Sequence, residues 1–241
     1  MTRNRLFVLL AALIAGVAPA APAASHRSTA FRATLLAQAR TPAPTMSAEG
    51  ADWLVRPERE EEERPDQVIR ALKIPAGATV ADVGAGVGYF SWRLARAVGP
   101  RGIVYAEDIQ PAMLERLDAN IRARHLNNVR EVLGTEDDPK LPVGRCDLIL
   151  LVDVYHELAH PQEMLARFKT ALKPSGRLVL VEYRGEDPSV PIQPLHKMTV
   201  AQVRRELEPA GYRLQQDLEF LPWQHILVFE IAAGTKPATH R

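Results

Sequence analysis

The residues with the most chemical content sit at the ends of apolar runs. Val80-Ala81-Asp82-Val83 leads straight into Gly84-Ala85-Gly86-Val87-Gly88, so one acid and three glycines alternate along the chain. Glycines let a backbone turn sharply and approach a ligand with no Cβ in the way. A dinucleotide loop of the G-x-G-x-x-G type needs a glycine at position 89, and that position is Tyr89. Glu107 and Asp108 close the next apolar run, where an acid fits a nucleotide ribose in either loop class. A third group, Asp153-Val154-Tyr155-His156-Glu157, follows the run Leu148–Val152. Its histidine titrates near neutral pH.

The elements that must position these residues alternate in type. Strands are expected at 79–83, 103–106, 129–133, 147–152, 177–182, 213–220 and 226–231. Helices are expected at 66–72, 89–98, 111–125, 161–172 and 199–209, the last capped by Thr199. Lys173-Pro174-Ser175-Gly176 reads as a turn. The strands are apolar on both faces, and helices separate most of them at short spacing. That pattern predicts an α/β fold with a doubly wound, mostly parallel seven-stranded sheet. The last two strands are expected to form an antiparallel pair at one edge. Ligands of such sheets bind at the carboxyl ends of the strands.

In this order and spacing the motifs resemble those of the class I S-adenosylmethionine-dependent methyltransferases, most of all the small-molecule branch of ubiquinone/menaquinone-type C-methyltransferases. The resemblance covers roughly residues 66–231 and implies a Rossmann-like fold with S-adenosylmethionine as cofactor. It assigns Asp82, Gly84, Gly86 and Gly88 to the loop around the amino-acid part of the cofactor. Asp108, ahead of Glu107, is assigned to the ribose hydroxyls, and Ile109 to the adenine flank. Glu136 or Asp137 is assigned to the adenine amino group, although Thr135 stands where the family often has its acid. Asp153 falls where residues lie between cofactor and substrate. Lys173-Pro174-Ser175-Gly176 is similar to the family's K-P-G-G turn.

Methyl transfer to an –OH or an acidic C–H needs a base near the strand ends. His156 is the leading candidate, with Glu157 and Tyr155 beside it. Tyr183, Arg184, His196, Trp223 and His225 are expected to line an acceptor pocket. No metal is expected. Among the histidines only His156 and His160 have helical ligand spacing, and Pro161 follows at once. The metal-dependent O-methyltransferases of the family have an Asp after the fourth strand, for which Asp153 is available, and an Asp-Asn after the fifth, which Tyr183-Arg184 replaces here.

The ends of the chain carry other signals. Arg3 and Arg5 precede an apolar stretch from Leu6 to Val17, and Ala18-Pro19-Ala20 and Ala21-Pro22-Ala23-Ala24 follow. Residues 1–24 read as a cleaved secretory signal, 25–50 as a disordered linker and 51–65 as a helical lid. The methyltransferase domain is expected over 66–234, with a tail at 235–241. The glutamate-rich stretch reads either as a solvated helix face or as that lid over the site, with Trp53, Arg56 or Arg59 pointing in. The chain has 241 residues, 30 Lys+Arg, 29 Asp+Glu and one cysteine. Losing residues 1–24 removes two arginines and no acid, so the net charge passes from +1 to −1. That balance argues for a small-molecule partner, against nucleic acid, and against stable membrane association after cleavage. A lone cysteine excludes an internal disulfide. The expected location is periplasmic or secreted, or cytoplasmic if the signal is not used. An exported chain conflicts with a cofactor made in the cytoplasm. The alternative reading is therefore an exported, inactive protein of this fold that binds an adenosyl-type or other small ligand.

Overall fold

The computed structural model describes residues 40–233. The signal at 1–24, most of the linker, and the tail lie outside the described residues. Among those described, the strands are β1 (Thr79–Val83), β2 (Ile103–Asp108), β3 (Val129–Leu133), β4 (Cys146–Val152), β5 (Leu172–Arg184), β6 (Lys197–Met198), β7 (Tyr212–Leu218) and β8 (Gln224–Ile231). They form one sheet in the order β3-β2-β1-β4-β5-β8-β7, with the two-residue β6 paired to the end of β5. β1 to β5 run parallel, and β8 runs antiparallel between β5 and β7. The sheet is thus the expected seven strands plus the short β6.

Alternate side chains of each central strand feed two different cores. Ala81, Val83, Ile149, Leu151, Leu178, Leu180, Leu227 and Phe229 belong to one. Val80, Leu148, Leu150, Val179, Val181, Ile226 and Val228 belong to the other. Burial on both faces is why these strands read as unbroken apolar runs. The first core also takes Leu165 and Phe168 of α5 (Pro161–Ala171) and Val203 and Leu207 of α6 (Val200–Leu207). The second takes Val68 and Leu72 of α2 (Pro65–Leu72) and Leu94 and Val98 of α3 (Ser91–Val98). α4 (Pro111–Ala123) starts at a proline and buries Met113, Leu114, Leu117 and Ile121. Thr199 caps α6 by accepting a bond from Gln202 N at 3.0 Å.

Two local expectations change. Lys173–Gly176 is not a turn between elements. β5 begins at Leu172, and the four residues form an irregularity between the pairs Cys146↔Leu172 and Leu148↔Arg177. Residues 41–50 are not a loose linker either. Ala43 N donates to His156 O at 3.1 Å, and Gln110 Nε2 donates to Met46 O at 2.9 Å. A 3-10 helix, Ala48–Val55, follows, then the short α1 (Arg59–Glu63). The Ala, Thr and Pro content that suggests a linker is here a segment with few side-chain anchors, held by its backbone.

Candidate functional site

The crevice opens where the strand order reverses, between β1 and β4. It is a cavity of about 680 Å3, bordered by the glycine loop, the ends of β2 and β4, the 3-10 turn Tyr155–Glu157 and residues 42–46. Gly84 has φ +66° and Gly86 φ +54°. A Cβ on Gly84 would lie 2.5 Å from Val154 Cγ2, and one on Gly86 would lie 2.9 Å from Leu54 Cδ1. Gly84 therefore needs glycine for conformation and for space, and Gly86 for conformation.

Three acids surround this loop. Asp82 is buried and accepts from Ser91 Oγ at 2.6 Å. Burial pushes its carboxyl up to about 7, against the opposing pull of the serine bond. Asp108 commits one oxygen to Gly86 N and the other to Gln110 N, both at 2.9 Å. Glu107 accepts from Gly84 N at 3.3 Å, and its Oε1 is buried with no protein partner. Burial pushes the Glu107 carboxyl up to about 8. Asp108 and Glu107 are the two acids that close β2 beside the loop. Both border the cavity, but Glu107 holds the uncommitted oxygen. Ile109 and Glu136 also border it. Asp137 does not. It is exposed and accepts from Thr135 Oγ1 at 2.7 Å, a bond that holds its carboxyl low.

At the end of β4, Asp153 takes a left-handed φ of +54°. Gln224 Nε2 donates to its Oδ2 at 2.8 Å, while Oδ1 is buried without a partner. Burial first, and then the charges of Glu63 and Glu182, hold this carboxyl well above its ordinary range. Beyond it, His156 is 2% exposed and its Nδ1 lies 2.6 Å from Glu182 Oε2. Its Nε2 lies 3.1 Å from His196 Nδ1. Glu182 is fixed in turn by Tyr155 N, which donates to Oε1 at 2.8 Å. Glu157 borders the same space, and burial pushes its carboxyl up to about 7.

The expected acceptor residues divide. Tyr183 and His196 border the cavity, and the Tyr183 hydroxyl is buried without a partner. Tyr155 does not border it. It is fully buried in the core, and its hydroxyl donates to Glu206 Oε2 at 2.9 Å. Arg184 is tied to the β7–β8 connection, donating to Leu221 O at 2.7 Å and Pro222 O at 2.9 Å. Trp223 lies in that connection, and its carbonyl accepts from Arg184 N at 2.9 Å. His225 is buried on β8 opposite Glu182, away from the cavity lining. Sequence order alone put these three with the site. The reversed direction of β8 lets only its first residue, Gln224, reach Asp153.

Several contributors carry no local sequence signal. Glu182 is one, an acid at the end of an apolar run whose partner is 26 positions away. Gln224 and residues 42–46 are others. Arg59 and Trp53 border the cavity, while Arg56 stacks over the Trp53 ring at 3.6 Å.

The family described as a methyltransferase domain matches residues 81–178. A tRNA (adenine(58)-N(1))-methyltransferase of Thermus thermophilus is 32% identical over 113 residues, 46% of this chain and 42% of that protein. A demethylmenaquinone methyltransferase of Geobacillus kaustophilus is 27% identical over 117 residues, 48% of this chain and 50% of that one. The chain thus spans about half the length of the curated relatives it matches. Among solved structures, a SAM-dependent methyltransferase from Aquifex aeolicus superposes with a TM-score of 0.74 at 27% identity. That match covers 78% of this chain and all of the other.

Proposed function

We propose that this chain, a class I S-adenosylmethionine-dependent methyltransferase by family and fold, transfers the cofactor's methyl group to a small-molecule acceptor bound beside His156. The observation that carries the cofactor half is the buried, unpartnered Glu107 Oε1 next to a glycine loop whose Gly84 leaves no room for a Cβ. An oxygen in that state calls for a ligand donor, and a ribose hydroxyl fits it. In this reading Glu136 and Ile109, which border the cavity, receive the adenine end, and the unpartnered Asp153 Oδ1 receives the ammonium. S-adenosylmethionine supplies an electrophilic methyl carbon on a sulfonium, displaced in line by the acceptor.

The chain's own part is to hold the acceptor and take its proton. Glu182 keeps the His156 proton on Nδ1, which leaves the Nε2 lone pair directed at the side where His196 and the cavity lie. In this reading that lone pair receives the acceptor's proton, and the carboxylate steadies the resulting imidazolium. A cavity of about 680 Å3 that residues 42–46 help to line supports a small acceptor. So does the near-even charge of the chain, which offers no general attraction for a polyanion. The family match ends at residue 178, before Tyr183 and His196, so it bears on the cofactor half and not on the acceptor.

The test is calorimetric titration of S-adenosylmethionine into the purified chain. Binding in the micromolar range is expected, abolished by Gly86→Arg and weakened about tenfold or more by Glu107→Gln. His156→Ala is expected to keep cofactor binding and lose transfer. No heat with the cofactor or its demethylated product, from protein shown to be folded, would overturn the reading.

A further inference from the structure

The helical ligand spacing that the sequence offers at His156, to His160, runs straight into Pro161, but the fold supplies a partner from elsewhere. His196 arrives on the 3-10 helix Pro194–His196, forty positions along the chain, and places Nδ1 3.1 Å from His156 Nε2. Glu157 is the next residue to His156. One ligand atom from each of His156, Glu157 and His196 lies within 4.8 Å of the others. We propose that these three side chains form a binding site for one divalent transition-metal ion of the zinc class.

Five observations carry it. Two imidazoles and one carboxylate are a donor set that zinc takes while keeping a fourth position open. Glu182, fully buried, holds Nδ1 of His156 at 2.6 Å. A carboxylate behind a ligating histidine fixes the ring and aims the other nitrogen at the ion. Two nitrogens on one tetrahedral ion with bonds of about 2.0–2.1 Å stand roughly 3.3 Å apart, within a few tenths of an ångström of the separation already present. The two rings cross at 77° with centroids 5.0 Å apart, so they meet edge to face and not as a stack. The three residues border the cavity, which leaves the fourth position to water or to an acceptor oxygen or nitrogen.

This goes beyond the methyl-transfer reading and meets it at one atom. An ion on His156 Nε2 occupies the lone pair that the base uses, so the loaded form is the form in which that base is masked.

The experiment is equilibrium dialysis of the chelator-stripped full chain against Zn2+ and, separately, Co2+. One ion per chain is expected, with Co2+ giving the intense visible bands of a four-coordinate site. His196→Ala and Glu157→Gln are each expected to weaken binding at least tenfold, and Glu182→Gln by 10–100-fold. His196 and Glu157 are only partly buried, so circular dichroism of these variants serves as the fold control. Absence of a stoichiometric ion, binding unchanged in both His196→Ala and Glu157→Gln, or a pale six-coordinate cobalt spectrum would each overturn the proposal. Cofactor titration on the same preparation separates the two readings. Cofactor binding without an ion removes only the metal site, and an ion without cofactor binding removes only the methyl-transfer reading.

Discussion

Glu107 shows what a single residue can reveal and what its neighbours conceal. In the sequence it competes with Asp108 for one role, and register favours Asp108. The three-dimensional bonds add a difference that the sequence hides: Asp108 accepts from the Gly86 and Gln110 amides, and Glu107 from the Gly84 amide. Glycine at 134 makes the arrangement feasible, since a Cβ there would fall 1.8 Å from Glu107 Oε1. The buried acids also give stability a pH dependence. Burial raises Glu107 from an ordinary 4.5 to about 8 and Asp82 from 3.8 to about 7. A carboxyl raised on folding holds its proton more tightly in the native state. Stability is therefore full below the unfolded value and falls as pH rises toward the folded one. Melting temperature is expected to drop by several degrees between pH 5 and pH 8, and Glu107→Gln to flatten that drop. A variant with an unchanged pH slope would show that the dependence arises elsewhere.

At the scale of elements, the glycine loop was legible because everything it needs is local: a strand, alternating glycines and a helix within some twenty residues. The roof was not. Residues 41–50 have a linker's composition, and their order comes from contacts with His156 and Gln110, far along the chain. The helical segment after them has a firmer anchor. Arg59 makes a two-pronged pair with Glu63 at 2.6 and 2.7 Å, with side-chain exposures of 7% and 1%. Arg59 also faces Asp153. Removing one partner of a buried pair strands the other, at a cost of about 3–5 kcal/mol. The Arg204–Glu208 pair on α6 has the same i,i+4 spacing but is solvent-exposed, and such pairs contribute about 0.5 kcal/mol or less. Denaturant unfolding is therefore expected to show a large loss for Arg59→Ala and almost none for Arg204→Ala. Equal losses would mean that the Arg59 pair does not anchor the roof.

For the whole molecule, sheet topology decides which ends of the chain can meet. Parallel β1 to β5 bring their carboxyl ends to one rim, and reversed β8 brings its first residue to the same rim. Apolar runs on both strand faces made the doubly wound sheet readable. The direction of β8 could be inferred only from its short connection to β7, and His225 was misplaced because side-chain facing along a reversed strand depends on register, while Trp223 precedes that strand in the connection. The assembled rim predicts coupling between ligand and global stability. A ligand that binds only the folded chain stabilises it by about 2.7 kcal/mol at a hundredfold excess over Kd, worth roughly 5–11 °C in a domain of this size. S-adenosylmethionine is expected to give such a shift, and Gly86→Arg to abolish it. Transfer RNA is expected to give none at moderate salt, because a chain with 30 basic and 29 acidic residues presents no excess of cations for phosphates to release counterions against. A shift with tRNA that fades as salt rises would move the acceptor assignment from a small molecule to nucleic acid while leaving the cofactor assignment in place.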